Sequence, residues 1–274
     1  FEMIKKTDVY IKIQSTANTR ALGNAVPEKY LKYQLMQKPM KDIILERRWC
    51  GTVTPTNALA QEAGMSLEEY EDFVYSAIIR DWRKEAETMY KVKEILDKGK
   101  RVVIEGEETK LTMSIDGRVA VASVGEHNMP SGEVFTAPVD DSTDGYIYFD
   151  IPLVYAGALI EDVRLTFEKG VVTGCSASRN EELLKKVIET DEGSRRLGEL
   201  GIGTNRGITT FTTNILFDEK IGDTIHLALG NAYKECNGVN ESAVHVDIVK
   251  SMKNGRIIVD GKILQANGKW IWEM

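Results

Sequence analysis

Apolar residues recur every three or four positions between Leu67 and Lys98, which is the spacing of a helix with one buried face. Ser66 and Glu69 have the spacing of a capping box, and Gly99 follows at a position that commonly ends a helix. The pattern predicts a single helix over residues 67–98, about 50 Å long. A helix of that length usually connects two parts of a protein.

Shorter signals precede this helix. The stretch 9–13 alternates as a strand does, and Pro27 and Pro39 each occupy a position typical of the first turn of a helix. We therefore predict a strand at 9–13, a helix at 27–37 and another helix that begins at Pro39. Because the chain opens with Phe1 and reaches a strand soon afterwards, we expect it to be truncated.

From residue 100 onward, short runs of β-branched and aromatic residues alternate with turn sequences. Asp116 and Gly117 have the composition of a hairpin turn, so the strands predicted at 110–115 and 119–123 are expected to pair. A helix is predicted at 181–190, with Asn180 as its N-cap. Further strands are predicted at 101–105, 146–151, 163–167, 171–175, 224–229, 243–249, 256–259, 262–265 and 269–272.

These elements predict an α/β protein of the α+β type with a boundary near residue 100. Residues 1–99 are expected to form a truncated, mixed α/β region that ends in the long connecting helix. Residues 100–274 are expected to form a β-rich domain with mixed sheets. The composition supports a folded core, since 42% of the residues are apolar and 28% are charged.

The net charge of −7 argues against nucleic acid as a main partner, because binding to phosphates requires a basic surface. It also disfavours anionic membrane surfaces, and no uninterrupted apolar run reaches the roughly 18 residues of a membrane helix. The three cysteines, Cys50, Cys175 and Cys236, are far apart and form no C-x-x-C pair, which is typical of a reducing compartment. We therefore expect a cytoplasmic protein with neither membrane nor nucleic acid as a partner.

Two of the three histidines lie in predicted strands near potential oxygen ligands. His245 and Asp247 are separated by one residue, so they lie on the same face of a strand. His226 lies in the preceding predicted strand. Imidazole together with carboxylate is the ligand set of zinc, cobalt or manganese in hydrolases. A hydrogen-bonded His–Asp pair that only stabilises a sheet is the alternative that the spacing leaves open.

Two further segments present acidic residues in unusual backbone surroundings. Pro130 and Gly132 lie directly before Glu133, one restricting the backbone and the other freeing it, so that Glu133 projects from a constrained loop. An ordinary turn with an exposed glutamate is the alternative. Glu199 stands among glycines that do not form a phosphate-binding loop. They indicate instead that the backbone passes close to another group at Glu199.

Four motifs occur in order along the chain. They are N-M-P-S-G-E-V-F-T-A-P from Asn128, R-R-L-G-E-L-G-I-G-T-N from Arg195, F-D-E from Phe217 followed by H-L-A-L-G-N-A-Y from His226, and H-V-D from His245. Together they resemble the aminopeptidase T family of dinuclear metalloaminopeptidases, and the resemblance covers nearly the whole chain. Members of that family usually begin with an additional α/β segment, which we expect to be missing here.

The resemblance implies two divalent metal ions per chain, of zinc, cobalt or manganese. The metal ligands that it implies are Glu133, Glu199, Glu219, His226, His245 and Asp247. Glu199 is expected to bridge the ions, since two cations at close range repel unless a carboxylate lies between them. Glu199 and Tyr233 are the expected catalytic residues, with the Tyr233 hydroxyl donating a hydrogen bond to the oxyanion.

The resemblance further implies a hydrolase that removes the N-terminal residue from short peptides, and a homodimer that encloses the active sites. The general base is open between Glu126 and Glu219. His127 is either a substrate contact or a packed or exposed side chain. Two other functions are compatible with the same residues: a metal-dependent amidase with different substrates, and a metal-binding interaction module without catalysis.

Overall fold

A computed structural model describes residues 2–19, 21, 33, 36–37, 39–41 and 43–274 of the chain. The predicted first strand is present as β1, Val9–Gln14. The helix predicted at 27–37 lies almost entirely outside the described residues. The described residues 36–37, 39–41 and 43–45 are helical, so the segment after Pro39 is helical as predicted, whereas the start of a helix at Pro39 stays a prediction.

Five helices of the described part have complete bounds: α1 Asn57–Glu62, α2 Leu67–Ile78, α3 Trp82–Lys98, α4 Glu181–Ile188 and α5 Ile215–Asp218. The predicted capping box begins α2: the Glu69 N–H donates to Ser66 Oγ at 3.2 Å, and the Ser66 N–H donates to Glu69 Oε2 at 2.8 Å. Asn180 occupies the N-cap position of α4, but the prediction that its side chain caps the helix is wrong. The Asn180 amide donates to the carbonyl of Leu159 instead.

The prediction of one continuous helix over residues 67–98 is also wrong, because the chain leaves the helical path between α2 and α3. Ile79 has a ψ of 78°, outside helical values, and the Asp81 side chain caps the start of α3. The indole N–H of Trp82 donates to the carbonyl of Ile78 and satisfies the end of α2. Apolar spacing continues across the break because each helix buries one face, so the spacing did not reveal it.

In the described part of the chain, the strands form two large sheets and two small ones. In spatial order, the eight-stranded sheet contains β12 Val171–Ser176, β11 Val163–Glu168, β8 Asp144–Phe149, β4 Thr109–Ser114, β3 Arg101–Gly106, β16 Arg256–Val259, β17 Lys262–Ala266 and β18 Lys269–Trp270. The five-stranded sheet contains β15 His245–Ser251, β14 Thr224–Gly230, β13 Leu197–Gly203, β7 Glu133–Thr136 and β5 Val121–Ser123. The small sheets contain β1, β2 Arg48–Val53 and β6 Asn128–Met129, and the pair β10 Ala158–Ile160 and β9 Leu153–Tyr155.

The hairpin predicted around Asp116 and Gly117 is wrong. These residues form a turn, but β4 before it and β5 after it belong to different sheets. β4 pairs with β3, and β5 pairs with β7. A turn sequence specifies that the chain reverses, whereas the pairing of the following strand depends on which partner offers it a buried face.

The main hydrophobic core contains side chains from both large sheets and from α3, including Ile104, Phe149, Leu200 and Met89. A second buried cluster joins α1 and α2 to α5, where the rings of Phe73 and Phe217 lie 5.3 Å apart. The strand pairs of the two large sheets are antiparallel, and α1, α2 and α3 all precede the first strand of these sheets, which confirms the α+β class. The division at residue 100 stays a prediction. No helix among the described residues is long and apolar enough to span a membrane.

Candidate functional site

The five-stranded sheet has one face in the main core and an opposite face that carries polar groups. Along each strand, every second residue is buried in the core, as Leu200 is on β13 and Leu227 is on β14. The residues that alternate with them point to the opposite face of the sheet. Cross-strand pairing then aligns the remaining positions. The pairs on this polar face are Gly203 with Glu133, Gly201 with His226, Glu199 with Ala228, Ala228 with Asp247, and Gly230 with His245.

A shift in strand register at Gly198 places Glu199 on the polar face. Residues two apart in a regular strand share a face, so Glu199 would otherwise point into the core with Leu197. The extra residue in β13 shifts the alternation of side chains by one position, as a β-bulge does, so Glu199 points away from the core. A Cβ at position 198 would lie 2.4 Å from the carbonyl oxygens of Gly230 and Asn231, so the bulge requires glycine.

Glu199 lies between the two histidines. Its Oε1 is 3.1 Å from His226 Nε2, and its Oε2 is 3.3 Å from His245 Nε2. The potential ligand atoms of Glu133, Glu199 and His226 lie within 4.8 Å of one another, and so do those of Glu199, His245 and Asp247. Glu199 is therefore common to two groups of three side chains, each of which contains one imidazole.

A fully buried ammonium group faces two of the carboxylates. Lys220 Nζ lies 3.2 Å from Glu133 Oε1 and donates a hydrogen bond to Glu219 Oε1. The second oxygen of Glu133, Oε2, is 3.5 Å from His226 Nε2. Lys220 thus holds one oxygen of Glu133 and leaves the other directed toward His226. Glu219 contacts Lys220 but belongs to neither group of three potential ligands.

The orientation of His245 is fixed from the far side of its ring. His245 Nδ1 lies 2.7 Å from the carbonyl oxygen of Asn231, so Nδ1 carries the proton and donates it. His245 Nε2 is thereby directed toward Glu199 and toward Asp247 Oδ1, which is 3.5 Å away. Such a carbonyl contact on the far nitrogen is typical of histidines that bind metals. The ring of Tyr233 packs 4.9 Å from the His245 ring on the more exposed side.

Negative charge dominates the cluster and stabilises protonated imidazoles. Burial lowers the pKa of His226, but its hydrogen bond with Glu199 and the nearby carboxylates outweigh burial and raise the pKa to about 9. Burial likewise lowers the pKa of His245, and the carboxylates of Asp247 and Glu199 raise it to about 11. Each imidazole therefore holds a proton and adds a positive charge that offsets the carboxylates. A bound divalent cation would supply this positive charge in its place.

Two further groups of the site retain protons more strongly than usual. Burial raises the pKa of Glu219 to about 8, with Lys220 opposing the rise and Glu133 adding to it. Burial, followed by the negative charge of Glu199, also raises the pKa of Tyr233 well above its usual range. The Tyr233 phenol is therefore a neutral hydrogen-bond donor at physiological pH.

The side chains of this cluster fit a divalent metal ion. Two imidazole nitrogens and several carboxylate oxygens form the donor set that zinc, cobalt and manganese accept. The buried Nδ1 atom of His226 has no hydrogen-bond partner among the described residues, whereas its Nε2 atom faces the carboxylates of Glu133 and Glu199. The arrangement can hold cations at Nε2 of both histidines, with Glu199 between them.

The structure brings together five of the six side chains predicted as metal ligands, and places Glu219 beside them through Lys220. His127 lies elsewhere: its ring stacks on Trp49 at 4.7 Å, and it is exposed. Glu126 is exposed on the same loop. Lys220 was missed by the sequence reasoning. Its position directly after the F-D-E motif was a signal in the sequence. Its burial between two carboxylates could not be deduced from the sequence.

An α+β fold that gathers imidazoles and carboxylates on one sheet face defines a candidate metalloenzyme. The chain belongs to the thermophilic metalloprotease family M29, whose profile matches residues 1–270. This membership confirms the resemblance to the aminopeptidase T family.

Individual relatives agree with this assignment. Aminopeptidase AmpS of Bacillus subtilis (strain 168) is 38% identical over 52% of this chain and 40% of its own length. The structure of wild-type AmpT from Thermus thermophilus matches with a TM-score of 0.84 and 25% identity, over 98% of this chain and 78% of that one. The first curated relatives are longer proteins, of which the matched region covers 40% to 66%.

The fold occurs in other proteins as well. The structure of 2,5-dihydroxypyridine dioxygenase from Pseudomonas putida KT2440 matches with a TM-score of 0.66 at 14% identity, over 98% of this chain and 93% of that one. This likeness shows a shared fold alone. A shared fold does not determine activity, which depends on the side chains of the site.

Proposed function

We propose that this chain carries the catalytic part of a metal-dependent aminopeptidase that holds two divalent ions. The observation that carries the proposal is the position of Glu199, whose two carboxylate oxygens face different histidines. A carboxylate in that position can bridge two cations and reduce their repulsion. Membership of the metalloprotease family and relatives named aminopeptidases support the same reaction class.

The two groups of ligand atoms suggest how the ions are shared. Glu133, Glu199 and His226 would hold one ion, and Glu199, His245 and Asp247 would hold the other. Glu219 would be a further carboxylate of the site. The donor types accept zinc, cobalt and manganese, and we propose that any of the three can occupy the positions.

Several side chains have roles that follow from their own contacts. A pair of bound divalent ions supplies an acidified water and polarises a carbonyl group. Lys220 keeps Glu133 oriented, and the neutral Tyr233 phenol, whose ring packs on His245, would donate a hydrogen bond to a developing oxyanion. Glu219 is the better candidate for general base, because Glu126 is exposed away from the cluster whereas Glu219 contacts Lys220 inside it.

The substrates that we propose are short peptides with a free amino group. On the basis of the family resemblance, we also propose a homodimer that encloses the active sites. Such an enclosure would exclude folded proteins as substrates. The three cysteines are all unpaired, which fits the proposed cytoplasmic location.

Release of free amino acid tests the proposed function. Protein stripped by chelation would be supplied with zinc, cobalt or manganese and given leucyl peptides with free or acetylated amino groups. We expect metal-dependent release from the free-amine peptides only, two ions per chain by elemental analysis, and loss of both metal and release in Glu199→Gln. Equal release from acetylated peptides would indicate an amidase. Two bound ions without turnover would indicate a metal-binding module.

The role of Tyr233 gives a separate prediction. Tyr233→Phe removes the hydroxyl and keeps the ring that packs on His245, so we expect unchanged metal content and a turnover lowered about 100-fold to 1,000-fold. The measurement is kcat on a leucyl dipeptide, together with metal analysis of the same preparation. Tyr90→Phe, on the exposed side of α3, is the matched control. Unchanged kcat in Tyr233→Phe would remove this residue from the mechanism.

A further inference from the structure

A cleft opens directly beside the cluster of histidines and carboxylates. It lies between β15, the edge strand of the five-stranded sheet, and two segments at residues 152–155 and 211–218. His245 and Asp247, one imidazole and one carboxylate of the cluster, form part of its wall. Any group held at these two side chains therefore has the cleft next to it.

The rest of the wall is mostly apolar. Leu153 on β9 and Val249 on β15 are buried, Phe211 is half-buried, and Ile215 at the start of α5 is 46% exposed at the rim. A charged side chain in such a cleft would lose hydration without gaining a partner, whereas an apolar side chain would gain from leaving water.

One acidic residue, Asp218, also lines the cleft, but it does not offer a free anion to a ligand. Its Oδ1 accepts hydrogen bonds from the backbone N–H of Thr212 at 2.8 Å and from the Thr212 hydroxyl at 3.0 Å. Asp218 is only 2% exposed, so its carboxyl group is enclosed by its own loop. Its carboxyl group is thus bound to its own loop and does not supply an ionic partner for a lysine or arginine.

The size of the cleft suits one side chain. Its volume is ≈ 140 Å³. A cavity of about 150 Å³ lined by leucine, isoleucine and phenylalanine holds a benzene molecule. The cleft therefore has room for a side chain as large as that of leucine or phenylalanine, and not for a length of peptide.

We propose that this cleft binds the side chain of the substrate's N-terminal residue and makes the enzyme select peptides that begin with leucine, methionine or phenylalanine. The inference rests on the proposed function. In an aminopeptidase, the Cα of the first residue joins the free amine to the scissile carbonyl, so its side chain leaves from an atom bonded to both groups that the metal site would hold. The side chain of the second residue begins farther along the peptide. The cleft adjoining His245 and Asp247 thus matches the first residue.

Two series of dipeptides test this assignment on the metal-loaded enzyme. In the first series the N-terminal residue is leucine, phenylalanine, alanine, lysine or glutamate before alanine, and in the second the residue after leucine varies in the same way. We expect kcat/KM to be at least about 10-fold higher for leucine or phenylalanine than for alanine in the first series, with charged residues lowest. In the second series we expect a much smaller spread.

Ile215→Asp places a carboxylate at the rim of the cleft without disturbing the core. We expect it to lower kcat/KM for leucyl-alanine about 10-fold and to raise lysyl-alanine relative to it. Ile263→Asp is the matched control, because it makes the same change at a site that is 37% exposed on β17; its preference should equal that of the wild type.

The outcomes separate the two levels of the proposal. No release from any peptide by the wild-type enzyme would contradict the proposed function itself. An active wild-type enzyme that prefers lysine, or responds only to the second residue, would contradict the assignment of the cleft alone. An unchanged preference in Ile215→Asp would contradict it as well.

Discussion

Replacing Gly201 with alanine is expected to weaken zinc binding about 10-fold to 100-fold or more, which is the size of effect seen when the orientation of a metal ligand is lost. Gly201 pairs with His226 across β13 and β14, and the imidazole lies over the glycine. A Cβ at position 201 would lie 1.9 Å from His226 Nε2, the atom that faces Glu133 and Glu199. Because His226 is fully buried, its ring has no solvent to move into.

Competition between the protein and a zinc-selective chelator measures this effect, and chemical denaturation of the metal-free protein shows whether folding also changes. Gly174→Ala is the matched control, since Gly174 also lies in a strand, and the nearest atom to its added Cβ would be 3.5 Å away. We expect the control to bind zinc as the wild type does. If Gly201→Ala retained full affinity, the imidazole of His226 would not be the ligand that the geometry indicates.

Replacing Lys220 with methionine is expected to lower the free energy of unfolding of the metal-free protein by about 3–5 kcal/mol. Lys220 is fully buried, and its ammonium group contacts the carboxylates of Glu133 and Glu219. Methionine preserves much of the side-chain length but leaves these carboxylates without their cation. The lost stability measures the cost of the unpaired buried charge, which is larger than the net value of an ion pair.

A double variant separates this cause from a simple loss of packing. Lys220→Met combined with Glu133→Gln removes the carboxylate that faces Lys220 Nζ at 3.2 Å, so we expect it to regain part of the stability lost in Lys220→Met. Urea denaturation of the chelator-treated proteins at neutral pH provides the comparison. A double variant no more stable than Lys220→Met alone would show that the loss comes from packing and not from the charges.

Features that depend on neighbouring residues were predictable from the sequence. The capping box at Ser66 and Glu69 was identified because its hydrogen bonds join residues three apart. His245 and Asp247 were correctly placed on one face, because side chains alternate along a strand. The concentration of glycines around Glu199 correctly indicated a close approach, which the bulge at Gly198 and the imidazole over Gly201 now explain.

Features that depend on distant partners were not predictable in the same way. The turn at Asp116 and Gly117 was recognised, but the strands on either side of it enter different sheets. The continuous apolar spacing from residue 67 to residue 98 concealed the break at Ile79, because α2 packs toward α5 while α3 packs into the main core. Spacing reports which residues are buried and does not report which surface buries them.

By itself, the sequence determined the α+β class, the family and the identities of the candidate ligands, because each of these is a property of local pattern and motif order. Tertiary structure alone decided how the ligands meet. The register of β7, β13, β14 and β15 brings Glu133, Glu199, His226 and Asp247 onto one face, and the fold buries Lys220 between two carboxylates. Such contacts join residues far apart in the chain, so they exist only once the strands have paired and the core has closed.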